Sequence, residues 1–207
     1  MIPHLSAQDL SEFLREKSVD VLDLRSVSEF LSGFIPGSIN LPQEESNFIG
    51  NIRKIWPHPR DVILISGEST VPDDVVSAVK EVGGTVKGYV SYQNWAEAGY
   101  TILTLGSVRI EDVLDNQNQF ELMDVRTEEE WRQKHIPGSR NIPLATLSVT
   151  AYEMDMTKTY VAFCAGVYRG IAGAARLRAQ GFDVLYLPGG VSAWDKHAGT
   201  IEKGLHS

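Results

Sequence analysis

The chain has 207 residues, 43% of them hydrophobic and 22% charged, with 19 Lys and Arg against 27 Asp and Glu and a formal net charge of −8. That apolar share supports a packed core and argues against a disordered chain. The acidic balance argues against a nucleic-acid partner, and no apolar run nears the roughly 18 residues of a membrane span. The opening Met1-Ile2-Pro3-His4-Leu5-Ser6 has no basic or apolar signal region, so a cytoplasmic location is expected. Cys164 is the only cysteine, which leaves no internal disulfide and no multi-cysteine zinc site.

In chain order, Ser6 can cap a first helix with Leu10, Phe13 and Leu14 on one face. Val19 to Leu24 reads as a buried strand, and a helix through Glu29-Phe30 ends at the Pro36-Gly37 turn. An apolar strand Val62–Ile65, a helix over Pro72–Val82 and a strand over Val86–Val90 follow. Beyond Gly106, read as a short hinge, the same order returns: a helix at Val113-Leu114, a strand Phe120–Val125 and a helix through Glu130-Trp131. A strand Tyr160–Phe163, a helix Gly170–Gln180 and a strand Val184–Leu187 complete it.

The second half copies the first. Asp23-x-Arg25, Glu29 and Ile35-Pro36-Gly37-Ser38-x-Asn40-x-Pro42 recur 101 residues later as Asp124-x-Arg126, Glu130 and Ile136-Pro137-Gly138-Ser139-x-Asn141-x-Pro143. Trp95 and Gly99 answer to Trp194 and Gly199. A unit of about 100 residues is too long for a solenoid repeat and right for a small domain. Two domains are therefore expected, 1–103 and 104–207. Apolar strands alternating with helices predict, in each, a mostly parallel α/β sheet with helices on both faces.

Sites in open parallel sheets lie beyond the carboxyl ends of strands, often against a helix N-terminus. Cys164 closes one such strand and leads through Ala165-Gly166-Val167-Tyr168-Arg169 to the small-residue helix from Gly170. A loop of this length turns several backbone N–H groups toward one point. Those donors, the helix dipole and the Arg169 guanidinium favour an anion. A thiol held there is expected to be largely thiolate near neutrality; an inert buried thiol is the alternative.

The sequence here resembles the rhodanese family of sulfurtransferases in its tandem form. The resemblance is carried by Asp124-x-Arg126, Glu130-Trp131, His135-Ile136-Pro137-Gly138-Ser139, Cys164 to Arg169, and Pro188-Gly189-Gly190 before Trp194. Cys164 to Gly170 is also similar to rhodanese units fused to metallo-β-lactamase-type persulfide dioxygenases. The resemblance implies transfer of a sulfane sulfur from a small anionic donor (thiosulfate or a low-molecular-weight persulfide) to Cys164, then to a thiol or cyanide acceptor. Cys164 and Arg169 would be catalytic, and Ala165, Gly166, Val167, Tyr168 and Gly170 would bind substrate, without metal or cofactor. Two alternatives stand beside it: a non-catalytic binding or scaffold module, and a cysteine-dependent phosphatase. Phosphatases of that kind place five residues between Cys and Arg; four intervene here, a tighter ring suited to one terminal sulfur.

In the first unit Ser66 stands at the cysteine position, in a loop Ser66-Gly67-Glu68-Ser69-Thr70 without arginine. An unassisted serine cannot carry this chemistry, so a structural role is expected for residues 1–103, with partner binding as the functional alternative. Asp124 and Arg126 recur in the cysteine-free unit as Asp23 and Arg25, which marks them as structural support. His135 is read as a surface turn residue, Arg176 and Arg178 as solvated, and Trp95 and Trp194 as packing anchors. His4, His58, His197 and His206 form no ligand spacing.

Overall fold

The computed structural model describes residues 2–68, 70–198 and 201–203; Ser69, Gly199 and His206 of the sequence reading lie outside them. The chain divides into two compact units, Met1–Thr104 and Leu105–Ser207.

The first unit runs α1 (Ala7–Glu16), β1 (Asp20–Asp23), α2 (Val27–Ser32), β2 (Ile39–Asn40), α3 (Phe48–Ile55), β3 (Asp61–Ser66), α4 (Asp73–Glu81), β4 (Thr85–Ser91) and α5 (Tyr92–Glu97). Ser6 starts α1 as a capping box: its hydroxyl accepts from the Asp9 N–H at 3.1 Å, and the Asp9 carboxylate accepts from the Ser6 N–H at 2.8 Å. The four strands pair in parallel in the order β2-β1-β3-β4. Burial of β3 between two neighbours explains its unbroken Val62-Ile63-Leu64-Ile65 run. Leu10, Val21, Ile63, Ile65, Val90 and Trp95 form one core layer.

The second unit runs β5 (Gly106–Ser107), α6 (Ile110–Asp115), β6 (Phe120–Asp124), α7 (Glu128–Gln133), β7 (Arg140–Asn141), α8 (Leu147–Thr150), β8 (Thr159–Phe163), α9 (Tyr168–Ala179), β9 (Asp183–Tyr186) and α10 (Gly190–Ala198). Its strands pair in parallel in the order β5-β9-β8-β6-β7. Val113, Val161, Phe163, Leu187, Val191 and Trp194 pack into one core cluster.

Two expectations change. Gly106 is no hinge: it pairs with Leu185 as part of β5, and a Cβ there would come within 2.9 Å of the Leu185 side chain. The long helix after the cysteine begins at Tyr168 rather than Gly170, which moves Arg169 from the loop into the helix's first turn. The short strands β2 and β7 and the helices α3 and α8 had no expectation in the sequence reading. Two-residue strands carry no periodicity, and only tertiary pairing defines them.

Candidate active site

The floor of the site is built where β6 ends. Asp124 is fully buried, and Arg126 folds back on it: its backbone N–H and Nε donate to Oδ1 at 3.0 Å each, and Nη2 donates to Oδ2 at 2.7 Å. The same Nη2 donates to the Lys134 carbonyl at 2.7 Å. Asn141 of β7 donates from Nδ2 to the carbonyls of Asp124, at 3.1 Å, and Arg126, at 2.9 Å. This charge pair is buried and hydrogen-bonded through Nε and Nη2 of the guanidinium, and it shapes the turn on which α7 starts. Asp23, Arg25, Gly33 and Asn40 repeat the arrangement in the first unit, Asn40 at the same 3.1 and 2.9 Å.

Cys164 stands directly after β8 and is 3% exposed. Two helix starts converge on it. Gly190, at φ +49°, opens α10 so close that a Cβ would collide with the Cys164 carbonyl. That approach lets the Val191 N–H donate to the Cys164 carbonyl at 2.9 Å, and the Ser192 N–H to that of Ala165 at 3.2 Å. Gly170 also brings α9 near, though less closely, since a Cβ there would lie 3.1 Å from Phe163 Cα and 3.3 Å from the Cys164 nitrogen. At Gly190 only glycine permits both the backbone angle and the contact, while Gly170, expected to bind substrate, is a close-packing position without a special backbone angle.

Between strand and helix, Ala165, Gly166 and Val167 form the loop, and the Gly166 N–H donates to Cys164 Sγ at 3.4 Å. Helix α9 has twelve residues and no side-chain N-cap, so its positive end faces this loop. Val167 is about one-third exposed, and Ala165, Gly166 and Tyr168 are half-buried. Tyr186 donates from its hydroxyl to the Gly166 carbonyl at 3.4 Å. Burial first, and then the charge of the Cys164 sulfur, push the Tyr186 phenol well above its ordinary range, so it remains a neutral donor.

Arg169 does not stand free to meet an anion, as the sequence reading expected. Its Nη1 and Nη2 donate to the two oxygens of Glu130 at 2.6 and 2.8 Å. Glu130 also caps α7 by accepting from the backbone N–H and hydroxyl of Thr127 at 3.1 and 3.0 Å. The Arg169 hydrogen bonds, with help from Thr127, hold the Glu130 carboxyl down at about 2. Reciprocally, Glu130 first and the Cys164 charge after it raise Arg169 further. Glu130 was visible in the sequence as a repeated letter and as part of the Glu130-Trp131 motif, with no role assigned; Glu29 caps α2 at the matching place in the first unit. The loop after Ser66 has no arginine to match Arg169, so the repeat hid the second role.

Two further expectations are corrected. His135 is 6% exposed rather than on the surface: its ring stacks on Trp131 at 3.9 Å, and Nδ1 lies 2.9 Å from the Trp131 carbonyl. Arg176 is half-buried and donates to the Leu144 carbonyl at 3.0 Å, so it ties α9 to the segment before α8. Trp95 and Trp194 are buried at 4% and 1%. Among the described residues, no His, Cys, Asp and Glu side chains form a group of three able to hold a metal, and no helix is long and apolar enough to cross a membrane.

In the first unit Ser66 ends β3, 1% exposed. Its hydroxyl accepts from the Glu68 N–H at 3.0 Å and donates to the Thr70 carbonyl at 3.1 Å. A cleft of about 290 Å³ beside it is lined by Arg25, Ser26, Glu29, Gln43, Glu44 and Glu68 among others, an acidic counterpart of the cysteine site.

The rhodanese-like domain model matches residues 6–98 and again 109–197, covering most of both units. The chain belongs to the rhodanese-like family. A sulfurtransferase of Allochromatium vinosum is 33% identical over 77 residues, which are 37% of this chain and 72% of that protein. An HTH-type transcriptional regulator of Mycobacterium tuberculosis is 36% identical over 85 residues, 40% of this chain and 38% of the regulator. Against the curated relatives that head the comparison, the chain spans 24% to 38% of their length. A thiosulfate sulfurtransferase structure from Pseudomonas aeruginosa aligns over 100% of this chain and 46% of its own, with 21% identity and a TM-score of 0.41. The family model falls once on each unit of this rhodanese-like chain, and one of them has a cysteine at the strand end.

Proposed function

We propose that the second unit is a sulfurtransferase that carries a sulfane sulfur on Cys164. The observation that supports this best is the placement of a single cysteine at a strand end beneath the N-terminus of α9, with the Gly166 N–H on its sulfur. In the proposed cycle the Cys164 thiolate attacks the outer sulfur of thiosulfate or a low-molecular-weight persulfide. The donor's S–S bond breaks, its electron pair leaves with sulfite or the donor thiolate, and Cys164 becomes a persulfide anion. Amides of the loop and of the first turn of α9 face that anion, and Arg169 in the same turn adds a positive charge partly offset by Glu130. A thiolate or cyanide acceptor takes the outer sulfur and returns the Cys164 thiolate, in a ping-pong sequence. The cycle balances without a metal or organic cofactor. A lone reduced thiol fits a cytoplasmic setting. The first unit, with Ser66 and its acidic cleft, supports a structural or partner-binding role.

Incubation with thiosulfate or glutathione persulfide, followed by intact mass measurement, tests the reading. One added sulfur is expected, absent in Cys164→Ser and present in Ser66→Ala. Protein left unmodified by every donor would favour a scaffold. Turnover of an aryl phosphate, blocked by vanadate, would favour a phosphatase.

A further inference from the structure

We infer that the site selects a monoanionic persulfide donor over dianionic thiosulfate, and that Glu130 sets this selectivity by occupying the guanidinium of Arg169. The inference rests on the proposed sulfurtransferase activity and goes on to the donor's charge.

Charge balance on the two reactions is unequal. A persulfide anion reacting with the Cys164 thiolate brings two negative charges together, and the products, a Cys164 persulfide anion and one donor thiolate, also carry two. Thiosulfate with the same thiolate brings three, and leaves a persulfide anion beside a sulfite dianion. The site must therefore compensate one more negative charge for thiosulfate.

The cations that would do so are already matched. Arg169 is the only basic residue from Cys164 to Gly170, and both ends of its fork lie on Glu130 at 2.6 and 2.8 Å. Arg126 below is matched by Asp124 at 2.7 Å. Glu130 stays ionised at any working pH, held there by Arg169 and Thr127. It shares the first turn of α7 with Glu128, which pairs with Arg132 at 2.6 Å, and Glu129. With both arginines paired, the loop amides and the end of α9 are the groups beside Cys164 that an incoming anion meets first. Amide donors of this kind favour any anion, but without an unmatched cation they compensate the third negative charge of the thiosulfate reaction less fully than the two of the persulfide reaction.

Glu130→Gln is the direct probe, because glutamine at the third helical position also completes a capping box and keeps α7 started. The wild type should load sulfur from cysteine persulfide with a higher kcat/KM than from thiosulfate. Glu130→Gln should shift that ratio toward thiosulfate on the order of tenfold, the effect of removing one nearby negative charge. A structural role alone would lower both donors in proportion, and that result overturns the inference, as does a wild type that prefers thiosulfate. Ionic strength supplies a readout on the wild type. Raising salt should accelerate thiosulfate loading more than persulfide loading, since it screens repulsion; slower thiosulfate loading in salt overturns the idea. Protein that accepts sulfur from neither donor removes the sulfurtransferase reading itself, an outcome distinct from either of these.

Discussion

The two units place different chemistry on one framework. In each, the first long parallel strand ends in an Asp whose Arg neighbour folds back on it, and an Asn from the short edge strand clamps the same two carbonyls. In each, a capping-box Glu, Glu29 or Glu130, starts the next helix. The divergence sits in the loop beyond β3 and β8. Helix α9 begins four residues after Cys164, at Tyr168, whereas α4 begins seven after Ser66, at Asp73. The short loop sets a helix N-terminus against the sulfur, while the longer one leads into Asp73 and Asp74. A shared scaffold therefore supports an anion site only where strand and helix are joined tightly and the first turn carries a base instead of acids.

The exchange of nucleophiles tests this contrast with the largest effect. Cys164→Ser should abolish sulfur loading by intact mass. Ser66→Cys, made in that background, should fail to restore it, because Glu68 and the longer loop offer no anion site. Loading at position 66 would show that the cysteine alone is sufficient.

The framework should behave alike in both units. Asp23→Ala and Asp124→Ala each leave a buried guanidinium without its partner, at a cost of about 3–5 kcal/mol to the unit concerned. Hydrogen exchange resolved by unit measures it, and a clearly unequal pair of losses would mean that the shared floor is not equivalent. Arg169→Ala acts in the second unit alone and should slow loading on the order of 10–1000-fold. Wild-type loading kinetics in that variant would remove the arginine from the mechanism.

The smallest effect is acid-dependent. Glu130 falls from an ordinary 4.5 to about 2 in the folded protein. Its contribution to stability is therefore complete above about pH 4.5 and lost as the pH falls toward 2. With solvent screening of a carboxylate one-third exposed, that contribution is about 1 kcal/mol. The stability gap between wild type and Glu130→Gln should hold near neutrality and close on acidification, as urea titrations at several pH values would read.

Much of this was legible in the order of residues. The central strands showed as apolar runs because parallel strands are covered on both faces, and Ser6 announced its helix by capping chemistry. The 101-residue repeat exposed the floor residues Asp124 and Arg126, since identical letters in a cysteine-bearing and a cysteine-free unit point to support rather than catalysis. Glu130 misled for the same reason: its capping role repeats, while its pairing with Arg169 does not. His135 misled because a turn sequence cannot reveal that Trp131 lies over the ring. Gly190 was visible as a motif, but its φ of +49° and its contact with the Cys164 carbonyl join residues 26 positions apart.

By itself the sequence determined the two α/β units, the position of the thiol at a strand end and the absence of a matching nucleophile in the first unit, because these depend on local pattern and residue type. Only the tertiary structure decided that Arg169 arrives already paired and that two glycine-opened helix starts close on Cys164. Charge compensation and close backbone approach are properties of distance in space, and residues 39 positions apart, as Glu130 and Arg169 are, meet only after the sheet has brought their strands together.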